Sequence, residues 1–333
     1  MTELFGQVEI LLKLRQRSDL HDYLLTTECD DGIGVIALNN YLKLWLDTHP
    51  NEEYLDVSKF ISSDLSAIMF GICPVIFLGT NDWAQKLYLS KNELNGYFDK
   101  WKQHLCRFLD KLEVPARLVI VPEKDVVIRL LSGDDGGLEV LNGAVEDMLH
   151  VFRGNSTGST FLDKEYSAPE KDIRDYSYYD SHLLSRDYID IYTDVMRGFG
   201  LSGYIEEESI TLSREDYVGD LASKLNADRQ VSKYLQIDYI GSGVIQTGGD
   251  GSFASPLRDT FQSFNNDKAP VDAKVVIFGD SHSSIYDQRK MTYLFANTFS
   301  RCDFYWDPLR IHRPDVEIDA DYVVLEISQR FLY

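Results

Sequence analysis

Lys274-Val-Val-Ile-Phe-Gly-Asp-Ser-His-Ser283 is the stretch on which the reading of this chain turns. Four consecutive apolar residues, 275–278, read as a buried strand. Gly279 ends the run, Asp280 and Ser281 follow at a turn, and residues 285–299 read as a helix. A serine at a strand-to-helix turn stands at the rim of an α/β sheet, beside the free backbone N–H groups at the positive end of a helix dipole. Such a place suits a nucleophile, because the same N–H groups can hold an oxyanion. Serine alone is inert near neutral pH, so the reading needs a base.

A base is offered upstream by Tyr176-Ser-Tyr-Tyr-Asp-Ser-His182. Asp180 and His182 are two apart, and a turning backbone can present both to one side. Asp180 would then accept from one imidazole nitrogen while the other faces Ser281, a serine–histidine–aspartate set in the chain order Asp, His, Ser. Asp180 could also serve only as an Asx-turn or cap. His282 is a rival base by proximity, but adjacent side chains on a turn diverge; His312 is a weaker rival.

Together, Gly279-Asp280-Ser281 and Asp180-x-His182 resemble the SGNH (GDSL-type) hydrolase superfamily, and within it the alginate-type branch of polysaccharide O-acetyltransferases. Four further patches fit that resemblance in order: Val75-Ile-Phe-Leu-Gly79 with Asn81, Val119-Ile-Val-Pro-Glu-Lys124, Val218-Gly-Asp-Leu-Ala222, and Asp321-Tyr-Val-Val-Leu-Glu-Ile-Ser-Gln-Arg330. Leu183 departs from the pattern, since the branch often has tryptophan after the histidine.

The resemblance implies a three-layer α/β/α domain with a parallel sheet over 71–333, preceded by a helical accessory segment over 1–70. It implies O-acetylation of a bacterial surface or capsular glycan through an acyl-serine, with Ser281, His182 and Asp180 catalytic and no metal. The Ser281 N–H and Asn81 would form the oxyanion hole, and Tyr178 and Tyr179 could stack on a sugar. The expected partners are a glycan acceptor, an acetyl donor such as acetyl-CoA entering as co-substrate, and other polysaccharide-biosynthesis proteins. A carbohydrate acetylesterase using the same triad is the alternative, and a non-catalytic glycan-binding module is a third. Lys124 and Arg330 read as structural ion pairs rather than substrate contacts.

The 333 residues suffice for one large or two ordinary domains, and 44% of them are apolar, enough for a core without staples. A formal net charge of −21, from 54 acidic and 33 basic residues, argues against a nucleic-acid surface and against a bulk polyanion as acceptor. Cys29, Cys73, Cys106 and Cys302 are too scattered for a zinc motif, and Cys73 and Cys106 read as buried thiols. No basic n-region precedes an apolar run at the start, and no stretch approaches ~20 apolar residues. The expectation is a cytoplasmic chain without a membrane span; an excised domain of a larger or membrane-associated enzyme is the alternative.

From Pro74 the pattern becomes α/β. Residues 75–78 read as a strand, 94–112 as a helix opened by the capping box Ser90-Lys-Asn-Glu93, and 117–121 as a strand. That spacing predicts a parallel pair joined by a crossover. Residues 131–172 read as loop with a short helix near 145–152, 183–199 as a helix, and 242–273 as a long loop. The glycine-rich spots at 135–137 and 248–251 lack a dinucleotide spacing.

Overall fold

The computed structural model describes residues 67–70, 75–78, 91–121, 123, 159–161, 180–183, 185–201, 210–221, 231–239, 242–249, 261–283, 290–308 and 317–332. A seven-stranded mixed sheet organises them, in the order β4-β3-β11-β9-β10-β8-β7. Its parallel part comprises β4 (Ser159–Phe161), β3 (Ala116–Val121), β11 (Tyr322–Ser328), β9 (Val271–Gly279) and β10 (Phe299–Trp306). On one edge it is extended antiparallel by β8 (Phe261–Asn266) and β7 (Val244–Gly249). Two hairpin-like pairs stand apart: β1 (Ala67–Phe70) with β2 (Val75–Leu78), and β5 (Ile210–Val218) with β6 (Val231–Tyr239).

Strand alternation sorts the core into two faces. Val275 and Ile277 of β9, Cys302 and Phe304 of β10 and Val324 of β11 join one cluster with α2 (Ser185–Gly198) and α3 (Met291–Thr298). Tyr188, Ile191, Tyr192 and Val195 are the face that α2 contributes. The next residue of β9, Phe278, points the other way, where the Phe108 ring of α1 (Lys91–Leu109) meets it edge-on with centroids 6.1 Å apart. Helices on both faces give the three α/β/α layers. Phe278 is 1% exposed, so truncation to alanine there should cost about 3–5 kcal/mol.

Several sequence expectations are corrected. Residues 75–78 do form a strand, but β2 pairs antiparallel with β1, Phe70 opposite Val75, rather than parallel with β3. The short connection at 71–74 favours local pairing over a crossover. Within the expected loop 242–273, residues 242–249 and 261–273 instead hold β7, β8 and the start of β9; 250–260 lie outside the described residues. A parallel edge strand, β4, falls within 131–172. Of the helix expected over 285–299, the described residues show Met291–Thr298, residues 285–289 lie outside them, and Phe299 already belongs to β10. Ser281 itself lies in a turn.

Of the segment over 1–70, residues 67–70 are β1; the rest lies outside the described residues, as do Cys29, Cys73, the capping-box Ser90, His312 and the expected helix at 145–152. Cys302 is buried and Cys106 half-buried rather than buried; both are free thiols. Among the described residues no helix is long and apolar enough to cross a membrane.

Candidate active site

The carboxyl ends of parallel strands are where open α/β sheets place their ligands, and β9 and β11 bring the Gly-Asp-Ser turn there. Asp280 folds back under that turn. Its Oδ1 accepts the His282 N–H at 2.9 Å, while its Oδ2 accepts the Ser328 N–H at 2.7 Å and the Ser328 hydroxyl at 2.5 Å. Glu326, fully buried on β11, accepts the Asp280 N–H at 2.8 Å and the Ser283 hydroxyl at 2.9 Å through Oε2. Burial, with the nearby Asp280 charge, pushes the Glu326 carboxyl well above its usual range. A Cβ at position 279 would lie 2.6 Å from Glu326 Oε2 and 2.8 Å from Ser283 Oγ, which explains the glycine. The fold thus fixes the turn from beneath and leaves Ser281 half-exposed on top, with no hydrogen bond to its hydroxyl among the described residues.

Asp180 and His182 meet as the spacing predicts. His182 Nδ1 lies 2.5 Å from Asp180 Oδ1, and the same oxygen accepts the His182 backbone N–H at 2.9 Å. Asp180 is therefore an Asx-turn residue and an imidazole partner at once. Burial alone would raise its pKa, but the charge and hydrogen bond of His182, a hydrogen bond from Asp220 and the Lys290 charge together hold it well below the usual range. An ionised carboxylate only accepts, so Nδ1 carries the imidazole proton and Nε2 presents its lone pair. That Nε2 is buried and has no hydrogen-bond partner among the described residues.

Two contacts join this pair to the serine turn. The His182 and His282 rings pack edge to face with centroids 5.1 Å apart. Lys290 Nζ donates to the Ser281 carbonyl at 2.6 Å, and its charge also acts on Asp180. His282 is committed elsewhere: its Nδ1 shares a hydrogen bond with the Tyr188 hydroxyl at 2.8 Å. Burial, then the charges of His182, Arg330 and Lys290, push its pKa well below the ordinary value, so His282 stays neutral.

Asp220 is the residue that sequence reasoning left without a role. It follows β5 within the Gly-Asp-Leu patch, and its two oxygens accept both donors of Ser181, the N–H at 2.8 Å and the hydroxyl at 2.7 Å. Asp180, His182 and Asp220 offer ligand atoms within 4.8 Å of one another, a spacing open to a cation. Here those atoms are engaged with each other and with Ser181. Arg330 forms a buried ion pair with Glu123 at 3.2 Å, in keeping with its structural reading. Asn81, Lys124, Tyr178 and Tyr179 lie outside the described residues.

No family profile and no curated protein sequence matches the chain. Among solved structures, PatB1 of Bacillus cereus, determined with a sulfonyl adduct, is similar in fold: TM-score 0.56 at 14% identity, over 80% of this chain and 96% of that one. The chain thus has an SGNH-like α/β fold, as the order of its motifs implies. A DHHW family protein from Eubacterium siraeum gives TM-score 0.49 at 11% identity, covering 81% of this chain and 94% of that one. The O-acetyltransferase domain of Pseudomonas putida AlgJ gives 0.45 at 12%, covering 73% and 84%. At these scores the last two add nothing to the assignment.

Proposed function

We propose that this chain is an O-acetyltransferase acting on hydroxyls of a bacterial surface or capsular polysaccharide through an acyl-serine. The observation that carries the reading is the half-buried His182, its Nδ1 fixed on Asp180 and its buried Nε2 without a partner among the described residues, beside the Ser281 turn. In this reading Ser281 Oγ gives its proton to Nε2 and attacks the acetyl carbonyl of a donor such as acetyl-CoA. The leaving group departs with that proton. A sugar hydroxyl then gives its proton to Nε2 and takes the acetyl group, restoring the serine. Asp180 stabilises the imidazolium in both halves without itself being protonated.

The Ser281 N–H and Asn81 are assigned to the oxyanion, and Tyr178 and Tyr179 to the sugar ring. No resident metal or cofactor is required by these steps. A net charge of −21 supports a neutral or locally presented glycan over a bulk polyanion as acceptor. Residues 1–70 are assigned an accessory role.

The test is incubation with p-nitrophenyl acetate, with and without neutral oligosaccharides, followed by mass analysis of the sugar. Acetylated sugar is the expected product. Nitrophenol release with water as the sole acceptor would make the chain an acetylesterase. Absence of both release and fluorophosphonate labelling would leave a glycan-binding module.

A further inference from the structure

An Asp-x-His pair on irregular backbone needs something to keep its two side chains in line, and hydrogen bonds within the tripeptide cannot do that alone. The residue between them supplies the handle. Ser181 is buried, and both its donors end on the two oxygens of Asp220, 39 positions further along the chain. On the other side of the same backbone, Asp180 Oδ1 collects the two His182 donors. Side-chain oxygens of Asp220 and Asp180 lie within 4.8 Å of each other. We propose that Asp220 is a positioning residue of the acyl-transfer site: by clamping Ser181 between Asp180 and His182, it sets the line from carboxylate to imidazole.

Two abutting carboxylates can hydrogen-bond only if one keeps a proton. Burial, then the Asp180 charge, push Asp220 up, while the His182 charge opposes them without prevailing; Asp180 is held down. These opposite directions favour a proton on Asp220 over one on Asp180. The charged or titratable groups acting on this pair are His182 from the same tripeptide and Lys290, which precedes α3. Asn at position 220 keeps one acceptor oxygen for Ser181 and loses the second; Ala keeps neither.

This inference rests on the triad reading, and its test separates the two. Turnover of p-nitrophenyl acetate, thermal melting and the low-field NMR signal of the His182 Nδ1 proton are recorded for the whole chain, for Asp220→Asn, for Asp220→Ala and for Ser281→Ala. Asp220→Asn, which keeps one of the two acceptors, should lose about tenfold, less than Asp220→Ala. Asp220→Ala should lose about 10²-fold in kcat, as a misplaced catalytic group does, with KM nearly unchanged. The low-field signal should persist in Asn and shift or vanish in Ala.

A folded Asp220→Ala with wild-type kcat and an unmoved low-field signal overturns the proposal. So does an Asp220→Asn protein that is folded yet as impaired as Ala. If Asp220→Ala does not fold, Asp220→Ser, which offers one hydroxyl, takes its place and should fall between Asn and Ala. Turnover that survives in Ser281→Ala defeats the nucleophile reading; the His182 signal still judges Asp220.

Discussion

Residues 180–182 and 280–282 spell the same tripeptide, Asp-Ser-His, and the fold handles the two in opposite ways. Both begin alike: in each, the aspartate Oδ1 accepts the backbone N–H of the histidine at 2.9 Å. They diverge at the side chains. Asp180 turns its carboxylate onto the ring of its own histidine, and its serine is clamped by Asp220. Asp280 is absorbed by Ser328, and its histidine goes to Tyr188. Its serine keeps a hydroxyl with no partner among the described residues. One copy therefore presents a base and hides its serine; the other presents a serine and hides its histidine. Local sequence cannot distinguish them. What differs is the tertiary partner of each side chain.

Exchanging the roles of the two serines is the most severe way to break this comparison. Ser281→Ala should lower turnover on the order of 10⁴-fold and abolish fluorophosphonate labelling. Ser181→Ala should keep the label, lose roughly tenfold or less, and unfold about 1 kcal/mol more easily because Asp220 loses a donor. Full labelling of Ser281→Ala, or none of Ser181→Ala, would reverse the assignment.

Next are the histidines. His182→Gln should cost about 10³-fold or more in kcat, with KM for the ester little changed. His282→Gln should cost about tenfold at most in activity and about 1–3 kcal/mol in stability, since a buried ring and its bond to Tyr188 are lost. Single-turnover acylation rates on both variants decide the matter; equal losses would mean that His282 shares the base role.

A third distinction concerns pH. Burial lowers the folded pKa of His282, so its contribution to stability is complete above the ordinary value of 6.5 and is lost as pH falls toward the folded pKa. Glu326 has the opposite sign. Its folded pKa is raised, so its contribution is complete below the ordinary 4.5 and is lost as pH rises through the folded value. Melting curves across pH should show a flatter acid limb in His282→Gln and a flatter alkaline limb in Glu326→Gln. The smallest effect is expected from Ser328→Ala, about 1 kcal/mol, since Asp280 keeps the Ser328 N–H.

The central strands were legible in the sequence because burial on both faces writes a continuous apolar run, as in β3, β9 and β11. Helix α2 was legible from its spacing and from the glycines that stop it. Strands β7 and β8 were not. At the antiparallel edge, Phe-Gln-Ser-Phe-Asn-Asn alternates between buried and half-exposed positions, and such a composition reads as loop. Nor could the start of α3 be read: all eight of its residues are buried, so no polar stripe marks its boundaries, and Lys290 before it is extended and makes no side-chain cap. In the site, Asp180 and His182 were legible because their bond spans two residues. Asp220 was visible only as part of a short motif, since its partners come from a distant segment.

Strand β11 is the last in chain order of those described, yet it lies in the middle of the sheet, between β3 and β9. Its Ser328 and Glu326 hold the Ser281 turn from below. During synthesis, Asp280 leaves the ribosome 48 residues ahead of Ser328, a lag of roughly 2–10 s at ordinary elongation rates. Throughout that interval Ser281 exists chemically but its turn is unanchored, and a gap stands between β3 and β9. The order of translation thus delays the fixing of the Ser281 turn until the sheet can close around it, and a nascent chain halted before β11 carries both Asp-Ser-His tripeptides without the strand that anchors the second.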